Sequence, residues 1–328
     1  MIAPIAAQPV MDEQRLRSWQ LRIFWLLWTG YASYYLCRVN FAVAQPLILK
    51  EFTTWTNAQI GLIPSTYAIC YAIGQIVNGT LCQRWGTRLM MTVALVIAAL
   101  TNLGFSMAHS FTAMLVLWAV NGYAQSAGWS LLVQTLANWT TSSRRGTVIG
   151  LISTCYTVGN VLSWLLAGQL CGSIGWRAAF LVPSLVLVPV AIVFYALLRN
   201  SPEEAGFPTV RDDLHDADKQ SAKTSTTTSG AAISTWALLQ LTFSNKVLWI
   251  LGVGFFCMNA VRYSFMNWSV QYMADFQGRS IKGSAVTAVA IPLIGSLGAI
   301  SAGWISDTLF AKRRAPVCAI MQLGLAAV

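Results

Sequence analysis

The chain is a succession of apolar runs, each long enough to cross a bilayer, separated by short basic or Gly/Pro-containing connectors. About 20 apolar residues on a helix span a hydrocarbon core, where no water can satisfy an open backbone. Such a sequence folds as a multi-helix, all-α membrane protein; alternating ten-residue segments of the barrel type are absent from it. Composition agrees, with 56% hydrophobic and 10% charged residues, against about 25% charged in a soluble domain. Spans are expected at 23–48, 58–81, 89–108, 112–137, 147–171, 177–198, 247–273 and 283–304, with a ninth beginning near 315.

The net charge of +10 sits mostly in the connectors, which is a topology signal rather than a nucleic-acid surface. With the N-terminus inside, cytoplasmic segments hold Arg15, Arg17, Arg22, Arg84, Arg88, Arg144, Arg145 and Arg199, then further basic residues through Lys312, Arg313 and Arg314. The opposite loops hold Lys50, Arg177, Arg279 and Lys282. The expected location is an inner or plasma membrane, with a retained cytoplasmic tail carrying Asp12 and Glu13 in place of a cleaved signal. The seven cysteines are not closely paired, so they indicate neither a zinc site nor a disulfide framework. No cofactor, no P-loop and no nucleophile-base pair is indicated, and the chain is not expected to be an enzyme.

Between Ser201 and Thr235 the composition turns acidic and Ser/Thr-rich, the character of a flexible linker. It divides the chain into a first bundle of six spans at 1–200, a linker at 201–245 and a second, incomplete bundle at 246–328. The closing stretch from Pro316 to Val328 is apolar but too short to cross comfortably. A truncated product, or a piece of a longer one, is the expectation.

Within the first apolar run lies Tyr31-Ala-Ser-Tyr-Tyr-Leu-Cys-Arg-Val-Asn-Phe41. A guanidinium inside a span is costly and marks a functional site by default. Tyr31, Tyr35 and Arg38 fall at i, i+4 and i+7, so two phenols and the guanidinium share one helical face. A second such arginine, Arg262, lies in the seventh run at an offset of 224 positions (262 less 38). The connector Gly79-Thr-Leu-Cys-Gln-Arg84-Trp-Gly86-Thr-Arg88 has its counterpart at Gly303-Trp-Ile-Ser-Asp307, again 224 positions on (303 less 79). One offset shared by two landmarks implies that the halves are copies of one six-helix unit. Parallel repeats with a substrate site between them at the midplane are a transporter architecture, and the symmetry sets Arg38 opposite Arg262.

The Gly79–Arg88 connector resembles the loop motif of the major facilitator superfamily, with Gln83 where that family usually has aspartate and Asp307 retained in the second copy. Tyr31 to Phe41, Arg144-Arg145-Gly146, Ser201-Pro-Glu-Glu-Ala-Gly-Phe-Pro208 and the Arg262 helix further resemble the organophosphate:phosphate antiporter family. The resemblance implies two pseudo-symmetric six-helix bundles, a gating role for Gly79, Arg84, Gly86, Arg88, Gly303 and Asp307, and substrate binding by Arg38, Arg262, Tyr31 and Tyr35. Auxiliary cations of that family are replaced, since Gln75, Gln134 and Tyr156 stand at the positions of a lysine, an arginine and a histidine.

The chemistry of the residues points the same way. From Glu51 to Glu203 the chain has no intervening acidic residue, and Asp275 and Asp307 lie at span ends. Buried guanidiniums without a buried carboxylate need an anion from elsewhere, and arginine's planar fork suits phosphate or carboxylate oxygens. Asn259, Gln134 and Tyr156 are neutral polar candidates for the rest of the ligand. The two histidines, His109 and His215, lie in connectors, so no intramembrane proton relay is visible and anion exchange by alternating access is expected. The expected partners are a small organic phosphate, inorganic phosphate and the lipid bilayer. The alternative is a membrane sensor that binds a sugar phosphate and signals to a partner kinase.

Overall fold

Helices form wherever the apolar runs occur, and polar side chains mark where several begin. The computed structural model describes residues 13–208, 240, 243–308 and 314–327. Its helices are α1 (Glu13–Leu36), α2 (Asn40–Glu51), α3 (Asn57–Met107), α4 (Phe111–Gln125), α5 (Gly128–Trp139), α6 (Ser142–Ile152), α7 (Thr154–Ser173) and α8 (Ala178–Leu197). After the linker follow α9 (Lys246–Asp275), α10 (Ile281–Ala288), α11 (Ala290–Thr308) and α12 (Arg314–Ala327). Thr56 opens α3 with a reciprocal capping box to Gln59, and Ser110, Asn245 and Ser280 each accept a backbone N–H at the start of α4, α9 and α10. Each such side chain satisfies an N–H that has no partner inside its helix.

Among the described residues, six helical stretches are long and apolar enough to cross a membrane: 57–79, 85–107, 143–173, 178–197, 246–275 and 281–298. The sequence leads one to expect continuous first and fourth spans as well, but each is divided, α1 from α2 at residues 37–39 and α4 from α5 at residues 126–127. At these points the backbone bonds tighten to three-residue spacing: Cys37 N–H to the Tyr34 carbonyl at 3.1 Å, Arg38 N–H to Tyr35 at 3.2 Å, Ser126 N–H to Tyr123 at 3.4 Å. Tightened turns inside a long helix are a signature of functional hinges.

The second and third spans are joined through Gly86 alone, at φ +70°. Side-chain contacts show that the chain reverses there. Tyr67 meets Gly122 and Asn78 meets Ser126 on one arm, whereas Gly104 meets Leu117 and Thr87 meets Thr135 on the other. A Cβ at this left-handed position would be strained, which is why glycine occupies it. The Asn200 side-chain oxygen accepts the Arg88 N–H at 2.8 Å just beyond the reversal, and Glu204 accepts from the Asn200 amide at 2.8 Å. The short turn Pro202–Ala205 carries Glu204, and Phe207 after it is buried against the first bundle. Residues 209–239 of the expected linker lie outside the described residues.

Two apolar cores result. One, toward the Gly86 end, gathers Ile23, Leu27, Tyr34, Leu95, Leu131, Ile152 and Phe194. The other, toward the Glu51 end, gathers Phe41, Ile48, Phe105, Trp118, Trp164 and Phe180, together with Met266, Val270 and Ala285 from the second half. The halves therefore meet at the Glu51 end. There Gln45 donates to Gln271, whose amide donates to Asn57 at 3.0 Å. A Cβ on Gly168 of α7 would lie 2.6 Å from the Ala285 Cβ of α10. Within a bilayer, such small-residue contacts allow the close packing that holds helices together.

Candidate functional site

The α1–α2 break puts Arg38 at the middle of the first span. The Cys37 carbonyl, at the break, accepts from three buried amides: Asn121 at 2.7 Å, Asn102 at 3.2 Å and Gln125 at 3.4 Å. Asn102 is tied in turn to Asn40, which also donates to the Ala179 carbonyl at 2.9 Å. An unpaired buried carbonyl would be expensive in hydrocarbon; this cluster of amides makes the break tolerable.

Arg38 itself donates from Nε to the Gln125 Oε1 at 3.0 Å. Its guanidinium carbon lies 4.8 Å from the ring centre of Tyr35 and 5.1 Å from that of Tyr71. Tyr67 also donates to Gln125 Oε1, at 3.3 Å. Ring faces attract a cation without neutralising it, by roughly 2 kcal/mol when desolvated. The Arg38 Nη2 is buried and has no hydrogen-bond partner among the described residues. No carboxylate bonds to either Arg38 or Arg262 among the described residues; the ion pair given by the structure, Arg177 to Glu51 at 2.7 Å, lies at the far end of α2. A positive group held by one neutral acceptor and two rings, with a buried Nη2 unbonded, has room in its hydrogen bonding for an anionic acceptor.

The other residues expected at the site fall in different places. Tyr31 is buried, edge-on to Tyr34, Tyr35 and Trp129, so it supports Tyr35 through ring packing. Arg262 is exposed on α9, its guanidinium 5.9 Å from the Tyr263 ring centre. Asn259 donates to the Phe255 carbonyl of its own helix, Tyr156 packs against the first core, and Gln134 is exposed on α5. None of these three is hydrogen-bonded to Arg38. In the connector, Arg88 donates to the Tyr195 carbonyl at 2.6 Å and lies over the Tyr195 ring. Gly79 and Gly303 fall within α3 and α11, and the side chains of Arg84 and Asp307 lie outside the described residues.

Sequence reasoning missed Gln125 and Tyr71, which join Tyr35 around Arg38, and Tyr67, which hydrogen-bonds Gln125. Tyr67 and Tyr71 stand at i and i+4, stacked 6.0 Å apart, so their shared face was available as a signal. A cleft of about 400 Å³ between the start of α3 and α9, lined by Asn57, Pro64, Tyr263 and Trp268 among others, does not include Arg38.

Comparison with known proteins places this geometry in context. The chain is 27% identical to a probable hexose phosphate transport protein of Chlamydia trachomatis, over 97% of this chain and 71% of that protein. It is 29% identical to the membrane sensor protein UhpC of Salmonella typhimurium, over 98% and 72%, and 27% identical to a glycerol-3-phosphate transporter of Bacillus subtilis, over 95% and 70%. Among solved structures, a bacterial homologue of the human lysosomal transporter Spinster, inward-facing and unoccupied, superposes with a TM-score of 0.72 at 17% identity, over 90% of this chain and 64% of that one. A D-xylose-proton symporter gives 0.58 at 14% identity, over 88% and 69%. The model of the Major Facilitator Superfamily matches residues 27–328, and with its divided membrane helices and paired bundles the chain belongs to that superfamily.

Proposed function

We propose that the chain works in a secondary transporter for an organic phosphate, a sugar phosphate or glycerol phosphate, exchanged for inorganic phosphate by alternating access. The observation that carries this reading is Arg38: buried, held by a neutral amide and two tyrosine rings, with Nη2 unpartnered and no carboxylate bonded to it among the described residues. Phosphate oxygens match the arginine fork and supply the missing charge. The 224-residue repeat supports Arg262, exposed on α9 beside Tyr263, as the second cation of the same site. The named relatives that carry hexose phosphate and glycerol-3-phosphate support the substrate class.

Exchange follows from the same charge balance. An empty site leaves the guanidinium without a counter-charge, so reorientation is favoured only when one anion or the other is bound. The basic connectors argue for a cytoplasmic N-terminus, which makes the Glu51 end the outer one. The contacts between the halves at that end then correspond to a form closed outside. The similarity to a membrane sensor favours one further reading, in which the same site binds sugar phosphate but turnover is slight.

The test is uptake of labelled glycerol phosphate and glucose 6-phosphate into proteoliposomes loaded with inorganic phosphate, with Arg38→Lys and Arg262→Lys alongside. The expected result is uptake that depends on internal phosphate, lost by tenfold or more in each variant, because lysine keeps the charge but loses the fork (about 1.4 kcal/mol per tenfold). Equal uptake without internal phosphate overturns exchange. Binding without flux assigns the sensor role.

A further inference from the structure

We propose that Gln125 is the positioning residue that decides which edge of Arg38 meets the ligand; this rests on the anion-binding reading of the Arg38 site. A guanidinium has two forked edges: the side-on edge of Nε with one Nη, and the end-on edge of the two Nη groups. Gln125 Oε1 takes the Nε proton at 3.0 Å, so the side-on fork is spent on the protein. The Tyr35 and Tyr71 rings, 4.8 and 5.1 Å from the guanidinium carbon, hold the plane of the group. No hydrogen bond reaches either Nη among the described residues, and Nη2 is buried with none. The end-on edge is what remains for an oxyanion.

The orientation of Gln125 is itself fixed. Its Nε2 donates to the Asn121 Oδ1 at 2.9 Å and to the Cys37 carbonyl at 3.4 Å, and its Oε1 also accepts from the Tyr67 hydroxyl at 3.3 Å. Rotating the amide by half a turn would set an NH₂ against the guanidinium and an oxygen against the Cys37 carbonyl. Both contacts would become repulsive, so the acceptor is locked toward Arg38. Gln125 is fully buried, and glutamine supplies here what a glutamate could not: an acceptor at the same reach with no charge. A carboxylate would pair with Arg38 and cancel the charge that the ligand must meet.

The same amide also joins Arg38 to the hinge. Gln125 is the last residue of α4, beside the α4–α5 break, and it touches the Cys37 carbonyl at the α1–α2 break. Two divided helices are thereby pinned at one side chain, so the direction of the guanidinium is set by both.

The experiment compares the full chain in lipid nanodiscs with Gln125→Glu, Gln125→Met and Gln125→Asn, reading binding of labelled inorganic phosphate and of glycerol phosphate. Gln125→Glu is expected to weaken binding of both by more than about a hundredfold, consistent with an ion pair replacing the ligand. Gln125→Met is expected to weaken it about tenfold through loss of one hydrogen bond to a charged group. Gln125→Asn should fall between Gln125→Met and the unmodified chain. A second measurement does not depend on binding: nitrogen-15 arginine spectra, with the Arg38 Nε–H identified by its loss in Arg38→Lys. That resonance is expected to move in Gln125→Met while those of Arg88 and Arg177 stay in place. An unmoved Arg38 signal, or Gln125→Glu binding phosphate as the unmodified chain does, overturns the proposal. An unmodified chain that binds neither anion, with the Arg38 signal moving as expected, instead overturns the anion-site reading and leaves the positioning intact.

Discussion

The charge of Arg38 is left uncompensated because each neighbour that contacts it is neutral, and Glu51 shows the opposite arrangement at the end of the same span. The Arg177 guanidinium hydrogen-bonds the Glu51 carboxylate at 2.7 Å and, with the Trp176 N–H, also at 2.7 Å, holds it below the usual carboxylate range. A folded-state value below the unfolded one contributes stability that is present above the unfolded pKa of about 4.3 and is lost as pH falls through the lowered folded value. Both side chains are more than a third exposed, at 36% and 40%, so screening limits the contribution to roughly 0.2–1 kcal/mol. Thermal unfolding of Glu51→Gln in nanodiscs is expected to show a small loss at pH 7, shrinking in high salt and disappearing once the pH has fallen through the lowered folded value. Of the two sites, Arg38 was legible in the sequence because a charge stands out against an apolar run. Gln125 was not, because neutral polar residues are common in spans and only the fold reveals which of them touch the arginine; Tyr67 and Tyr71 left a trace only in their shared helical face.

The helix breaks were invisible for a related reason. Prolines are the usual sign of a broken helix, yet Pro46, Pro64, Pro183 and Pro189 all sit inside helices here. The divisions of the first and fourth spans fall instead at Cys37–Val39 and Ser126–Ala127, where the sequence carries no proline. What accompanies them is tertiary: buried amides of α3 and α4 that donate to the loosened carbonyls, three to Cys37 at the first division and Asn78 to Tyr123 at the second. The span pattern and the 224-residue repeat were legible because hydrophobicity and motif spacing survive any particular packing. Contact between α3 and α4 makes its own demand at Gly122, where a Cβ would stand 2.4 Å from the Tyr67 carbonyl oxygen. Gly122→Leu must drive the helices apart and is expected to lower the melting temperature sharply or prevent recovery of folded protein. Gly150→Leu is expected to be tolerated, since nothing lies within 4 Å of its Cβ position. Fluorescence size-exclusion profiles after heating would check the pair.

For the molecule as a whole, the two halves are joined by uncharged contacts: the amide chain Gln45–Gln271–Asn57 and the Gly168–Ala285 approach at the Glu51 end, and Thr157 with Ser296 at 2.9 Å deeper along α7. If transport requires this seam to part, locking it must stop transport. Thr157→Cys with Ser296→Cys, in a chain whose native cysteines are replaced by alanine, places two sulfurs at bonding reach. Oxidation is expected to abolish uptake into proteoliposomes, and a reductant to restore it; uptake unaffected by a verified cross-link would show that the seam stays shut throughout the cycle.

The reversal at Gly86 bears on how such a movement could spread. With a single residue between the two arms of α3, no slack exists to absorb a tilt of the second span, and the Arg88–Asn200–Glu204 bonds fasten the elbow to the segment leading into the linker. A swing of one arm would therefore be handed on as torque, both to its sister and, through Asn200 and Glu204, to the Pro202–Ala205 turn, which would make this corner a lever.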